Sequence, residues 1–123
     1  MKNKNFLESV SNAWGGIRHT VKNERNFKIH IVMGVAAIIC CIVFNVETVL
    51  FIWVVFAIFT VLVMELINTS VEALTDMFCG GKPHPMAKIA KDAAAAAVLL
   101  ASAQALTVAA IVAFNLALRW VSS

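Results

Sequence analysis

Charge is what this chain has least of. Only 14% of its 123 residues are Asp, Glu, Lys or Arg, against 61% hydrophobic, and the mean hydropathy is +0.85. A soluble fold this short has too little interior to hide so much apolar side chain, whereas a bilayer asks for only about 20 predominantly apolar residues per helical span. The composition excludes an ordinary water-soluble domain and implies one small all-α, multi-pass integral membrane domain over residues 1–123. Cysteine is scarce too. Cys40, Cys41 and Cys79 form no C-x-x-C or Cys/His spacing, which excludes a zinc site or a disulfide framework and leaves reduced core cysteines. There is also no G-x-x-x-x-G-K-[ST] loop, no H-R-D or D-F-G set and no G-x-G-x-x-G, so neither common phosphate cradle is present. The net charge is +3, but the cations border apolar runs and form no basic domain. That pattern marks topology and argues against a nucleic-acid partner.

Lys2, Lys4, Arg18, Lys22, Arg25 and Lys28 face only Glu8 and Glu24 in the first 30 residues, with no continuous apolar core of the signal-peptide kind. Phe6, Leu7, Val10, Trp14, Ile17 and Val21 recur at helical spacing. They predict an amphipathic surface helix over about 5–25, with Trp14 at the interface and a bend at Gly15-Gly16. From Ile31 to Met64 the only charge is Glu47. As one helix this run would measure roughly 51 Å, too long for a hydrocarbon core of about 30 Å. A tight turn at Asn45-Val46-Glu47-Thr48 is therefore expected, joining span one (about 29–45) to span two (about 48–66).

Gly80-Gly81, Pro83 and Pro85, with Lys82, Lys88 and Lys91, predict a cytoplasmic loop over about 77–92. A third span over about 93–118 carries no charge, opens on Asp92 as its expected cap and ends at the interfacial anchors Arg119 and Trp120. The excess of Lys and Arg in the N-terminal segment and in this loop places both in the cytoplasm by the positive-inside rule. Ala93, Ala97, Ala101, Ala105, Ala109, Ala113 and Ala117 repeat every four residues, a small-residue ridge suited to close helix packing and to a homo-oligomer. His19, His30 and His84 form no ligand cluster. His19 and His30 read as interfacial residues, while His84, between two prolines, stays open.

The most informative stretch runs from Glu65 to Asp76. At about 100° per residue, Glu65, Asn68, Thr69, Glu72 and Asp76 share one helix face about three turns long. Glu65 directly follows the apolar run Val49–Met64, where an ionisable group is expensive and points to function. Carboxylates four residues apart repel, and a divalent cation relieves the repulsion. Magnesium suits such a site, being held by one or two carboxylates plus substrate phosphates. Glu24 is expected at a similar depth. Lys88 and Lys91 can meet phosphate oxygens, or can simply snorkel. The plainer reading of the whole stripe is a helix emerging into water with a solvated acidic face.

Glu65-Leu66-Ile67-Asn68-Thr69-Ser70-Val71-Glu72, with Asp76 and Ala90-Lys91-Asp92, resembles the prokaryotic diacylglycerol kinase family. The resemblance extends through Trp14-Gly15-Gly16-Ile17-Arg18 and Asn23-Glu24-Arg25-Asn26-Phe27-Lys28-Ile29-His30. The last seven of those residues and His84-Pro85-Met86-Ala87-Lys88 look like its Gram-positive branch, whose preferred lipid is undecaprenol. The chain departs from the family at Ala93–Ala97 and at Gly80-Gly81-Lys82. What the resemblance implies is a homotrimer in the bacterial cell membrane, with composite sites on the cytoplasmic face that transfer the γ-phosphate of ATP to a lipid hydroxyl. It also implies Glu65 as general base, Glu24 and Glu72 as Mg2+ ligands on the ATP side, and Asn68 and Asp76 in support. His84, Lys91 and Asp92 would contact the nucleotide, and Glu65 and Trp14 the lipid. Undecaprenol is the first expectation, diacylglycerol the second, and a non-catalytic membrane assembly or transport module the more remote one.

Overall fold

The computed structural model describes residues 5–123, so Lys2 and Lys4 of the basic segment lie outside the described residues. Four helices account for nearly all of it: α1 (Phe6–Asn23), α2 (Arg25–Val43), α3 (Thr48–Cys79) and α4 (Pro85–Val121). There is no strand among the described residues. The last three helices are each long and apolar enough to cross a membrane.

Asn5 caps α1, its side chain accepting from the Glu8 N–H at 2.8 Å. The helix runs unbroken through Gly15-Gly16, so the expected bend there is absent. Two glycines cost about 2 kcal/mol relative to alanine, too little to interrupt a ladder that continues on both sides. The bend falls instead at Glu24, whose extended backbone (φ −108°, ψ 111°) ends α1 and begins α2. Trp14 is exposed on α1.

The turn between α2 and α3 occupies 44–47, one residue earlier than the spacing predicts, and Asn45 takes the left-handed conformation (φ 49°). Arg119 reaches this turn from the far end of α4 and donates to the Asn45 carbonyl at 3.1 Å. That cation satisfies carbonyl oxygens that the end of α2 leaves open.

At its other end α3 outruns expectation. Its 32 residues make about 48 Å of helix, well past a hydrocarbon core of about 30 Å. The polar residues beyond Met64 do not unwind it; Gly80 (φ 55°) and Gly81 (φ 80°) do, through the left-handed backbone only glycine adopts freely. The connecting loop is therefore 80–84, much shorter than the predicted 77–92, and α4 starts at Pro85 and not at 93. Proline at a first helical position has no N–H to lose, so it opens the helix here. The cap is His84, whose Nδ1 accepts from the Met86 N–H at 3.1 Å. Asp92, the expected cap, lies two turns inside α4 and pairs with Lys88.

Helix α3 is the central element, with α2 and α4 each packed against it and not against one another. Val54, Ala57 and Val61 form its buried stripe, and Ala101 is the buried residue of α4. The alanine ridge of α4 thus meets α3 at Ala101, while Ala105, Ala109 and Ala113 line an apolar groove of about 510 Å³ left between α2 and α4. Helices α2 and α3 approach closely at Gly34, where an added Cβ would stand 2.8 Å from Cγ2 of Ile58. Gly34→Val is expected to cost about 1–3 kcal/mol through overpacking. Its thermal unfolding midpoint in detergent should fall; an unchanged midpoint would show that the helices are not held this closely.

Candidate active site at a buried carboxylate

Glu65 is where the apolar stripe of α3 meets the acidic one. Four residues beyond Val61 on the same face, it is turned inward and is only 5% exposed. Its backbone carbonyl accepts from the Thr69 hydroxyl at 3.0 Å, a bond that spares the hydroxyl from going unpaired. The carboxylate has no such arrangement. Oε1 of Glu65 is sealed from solvent and accepts no hydrogen bond.

The nearest ionisable group to that oxygen is the imidazole of His30, whose Nε2 lies 3.3 Å away at the head of α2. The pair is at ion-pair distance but out of line for a hydrogen bond, which reconciles the short contact with an unsatisfied Oε1. Glu24 and Glu72 also act electrostatically on Glu65. Three carboxylates from the α1–α2 junction and two turns of α3 therefore converge on one region. His30 was expected to be no more than an interfacial residue. Its place was legible in part: counted outward from the turn at 44–47, His30 and Glu65 stand within about one helical turn of the same level on antiparallel helices, a gap that their side chains span.

Asn68 holds Glu72, donating from Nδ2 to Oε1 at 3.2 Å. Its own Oδ1 is buried without a partner. The hydroxyls of Ser70 and Thr75 bond back to carbonyls of α3, while Glu65 Oε1 and Asn68 Oδ1 stay without a partner. A set of hard oxygens with spare lone pairs suits magnesium. The described residues contain no cluster of three or more His, Cys, Asp or Glu side chains able to enclose a metal alone. One or two carboxylates completed by phosphate oxygens are consistent with that sparse set.

Further along, Asp76 at the end of α3 pairs with Lys91 of α4 across the short loop, and Lys88 pairs with Asp92. The early start of α4 makes these contacts possible, because Lys91 is a helical residue carried against α3. Trp14 does not join this cluster; it is 59% exposed on α1. His84 is committed to capping α4. It also borders a smaller apolar pocket of about 320 Å³ with Leu74, Phe78, Met86 and Ala90.

The sequence profile described as prokaryotic diacylglycerol kinase matches residues 11–113. A protein of Synechocystis named diacylglycerol kinase is 38% identical over 104 residues, covering 85% of this chain and 59% of its own length. A Bacillus subtilis protein named undecaprenol kinase is 37% identical over 93 residues, 76% of this chain and 75% of that one. Escherichia coli diacylglycerol kinase is 26% identical over 96 residues, 78% of each chain.

Proposed function

Because the chain belongs to the prokaryotic diacylglycerol kinase family, we propose that it is an ATP-dependent lipid kinase that phosphorylates the hydroxyl of undecaprenol. The observation that carries this reading is Glu65: a buried carboxylate with an uncommitted oxygen, placed where the charge-free run of α3 ends. A lipid alcohol keeps its tail in the bilayer and brings its hydroxyl to that level by lateral diffusion. ATP arrives from the cytosol, on the side of the 80–84 loop and of Lys88 and Lys91 at the head of α4.

Phosphoryl transfer needs positioning and charge neutralisation more than covalent help. Glu65 is the general base and accepts the hydroxyl proton as the oxygen attacks. Glu24 and Glu72 are the residues that would hold Mg2+, which supplies charge neutralisation on the phosphates when bound; Asn68 fixes the Glu72 carboxylate. Lys91 is oriented by Asp76 and offsets the negative charge that develops on the transferred group. His84, Lys91 and Asp92 border the nucleotide, and Trp14 meets the lipid at the interface.

The working form is a homotrimer. The described residues of one chain hold no cluster of three or more His, Cys, Asp or Glu ligands to enclose a metal, and sites shared between subunits would complete the set. Cross-linking in mild detergent is expected to trap trimers, and a fully active monomer would contradict a shared site.

Diacylglycerol is the second reading for the acceptor, favoured by the name of the Synechocystis relative. The name of the Bacillus relative favours undecaprenol. Purified protein given γ-labelled ATP, magnesium and each lipid in turn separates the two. Label on undecaprenol supports the first reading and label on diacylglycerol alone supports the second. Label on neither leaves a non-catalytic membrane assembly.

A further inference from the structure

Glu65 is well placed to take a proton and badly placed to lose it. It is 5% exposed and Oε1 has no contact with solvent. The proton that Glu65 takes up must leave before the next turnover, and Oε1 has no water of its own to carry it. Its neighbours offer few outlets. The Thr69 hydroxyl is committed to a backbone carbonyl and the Asn68 amide to Glu72, and neither takes up a proton near neutral pH. Helix α4, the other helix against α3, has no charged residue from 93 to 118. Arg25 and Lys28 on α2 are exposed cations. Glu24 and Glu72 act on Glu65 through their charge and are assigned to the phosphate side. His30 alone among the described residues is both within 3.3 Å of Oε1 and a quarter exposed. It also lines the groove between α2 and α4.

We propose that His30 is a proton relay for Glu65, taking up the proton drawn from the lipid hydroxyl and releasing it to water so that the base is reset. The inference rests on the kinase reading. In the first step the lipid oxygen bonds to the γ-phosphorus, the bond from that phosphorus to the bridging oxygen of ADP breaks, and the hydroxyl proton moves to Glu65. In the second, the imidazole turns into line with Oε1 across the 3.3 Å gap, the O–H bond at Glu65 breaks and its proton joins the lone pair on Nε2 of neutral His30. The imidazolium then returns a proton to water. One proton leaves per phosphate transferred, and no further reactant is needed. Imidazole suits the task because its charge change falls near neutral pH.

The test uses the full chain in detergent micelles with ATP, magnesium and each lipid alcohol, comparing wild type with His30→Gln and His30→Ala. Glutamine keeps a hydrogen-bond donor of similar reach but cannot relay a proton, and alanine opens space beside the groove. Both variants should unfold at the wild-type temperature and keep KM for ATP and lipid within about twofold, with kcat lower by about 10- to 100-fold, at or below the low end of general acid–base effects. Free imidazole should restore His30→Ala several-fold and leave His30→Gln unchanged. A His30→Gln protein with wild-type kcat, or a His30→Ala protein indifferent to imidazole, would overturn the relay while an active wild type leaves the kinase reading standing. Wild type that labels neither lipid overturns the kinase reading and the relay with it.

Discussion

Glu65→Gln is expected to lower kcat by about 10²- to 10⁴-fold, the range for loss of a general base, while the protein remains folded. The amide matches the carboxyl in size and cannot accept the hydroxyl proton. It also relieves a buried carboxylate whose Oε1 has no hydrogen-bond partner, so the thermal unfolding midpoint should hold or rise. Loss of activity without loss of stability distinguishes a catalytic group from a structural one. Activity retained within a few-fold removes Glu65 from the base role, and a collapse of the unfolding midpoint would make it a structural residue.

The second large effect is expected at Glu72. Replacing it by Gln removes one of the proposed magnesium ligands and leaves the Asn68 amide, now 3.2 Å from its carboxylate, facing a neutral partner. Removing an electrostatic group that acts on the transferred phosphate typically costs about 10²- to 10³-fold. The loss should fall mainly on kcat/KM for ATP and should shrink as magnesium is raised. Glu24→Gln should shift the magnesium dependence in the same direction. A Glu72→Gln protein with a wild-type magnesium titration would assign the metal to other residues. The two positions also differ in what they leave behind: at Glu65 extra magnesium should recover nothing, because the missing function is proton acceptance.

Much of the architecture was legible in the sequence because a bilayer leaves few options. Long apolar runs must be helices, and the 34 residues from Ile31 to Met64, with Glu47 their only charge, cannot form one span. The acidic face of α3 followed from helical spacing alone. The helix ends were not legible, because polarity was read as loop. The residues from Asn68 to Cys79 mix polar and apolar side chains and are helical throughout, and only the left-handed glycines at 80 and 81 stop them. The start of α4 was missed for a related reason. Pro85 was read as a breaker, although at a first helical position it is an initiator, with His84 as its cap. That error hid a contact, since Lys91 reaches Asp76 only because it stands on a helix.

His30 shows a different limit. A histidine at the head of an apolar run carries no partner in its own sequence neighbourhood. Its meaning came from the α2–α3 hairpin, which sets it beside Glu65 from 35 positions away. Counting outward from the tight turn would have brought it within about one helical turn of Glu65. The same count pairs Gly34 with Ile58, each about ten residues from the turn, and a Cβ added at Gly34 would meet Ile58. The depth of each ionisable group along the hairpin was thus recoverable in principle, whereas the direction in which it points was not.

The most direct test of the lipid kinase account is the stoichiometry of the reaction. Purified protein with ATP and magnesium should release ADP only when a lipid alcohol is present, with one labelled lipid phosphate for each ADP, and Glu65→Gln should suppress both together. ADP released without lipid, or at an unchanged rate by Glu65→Gln, would contradict it.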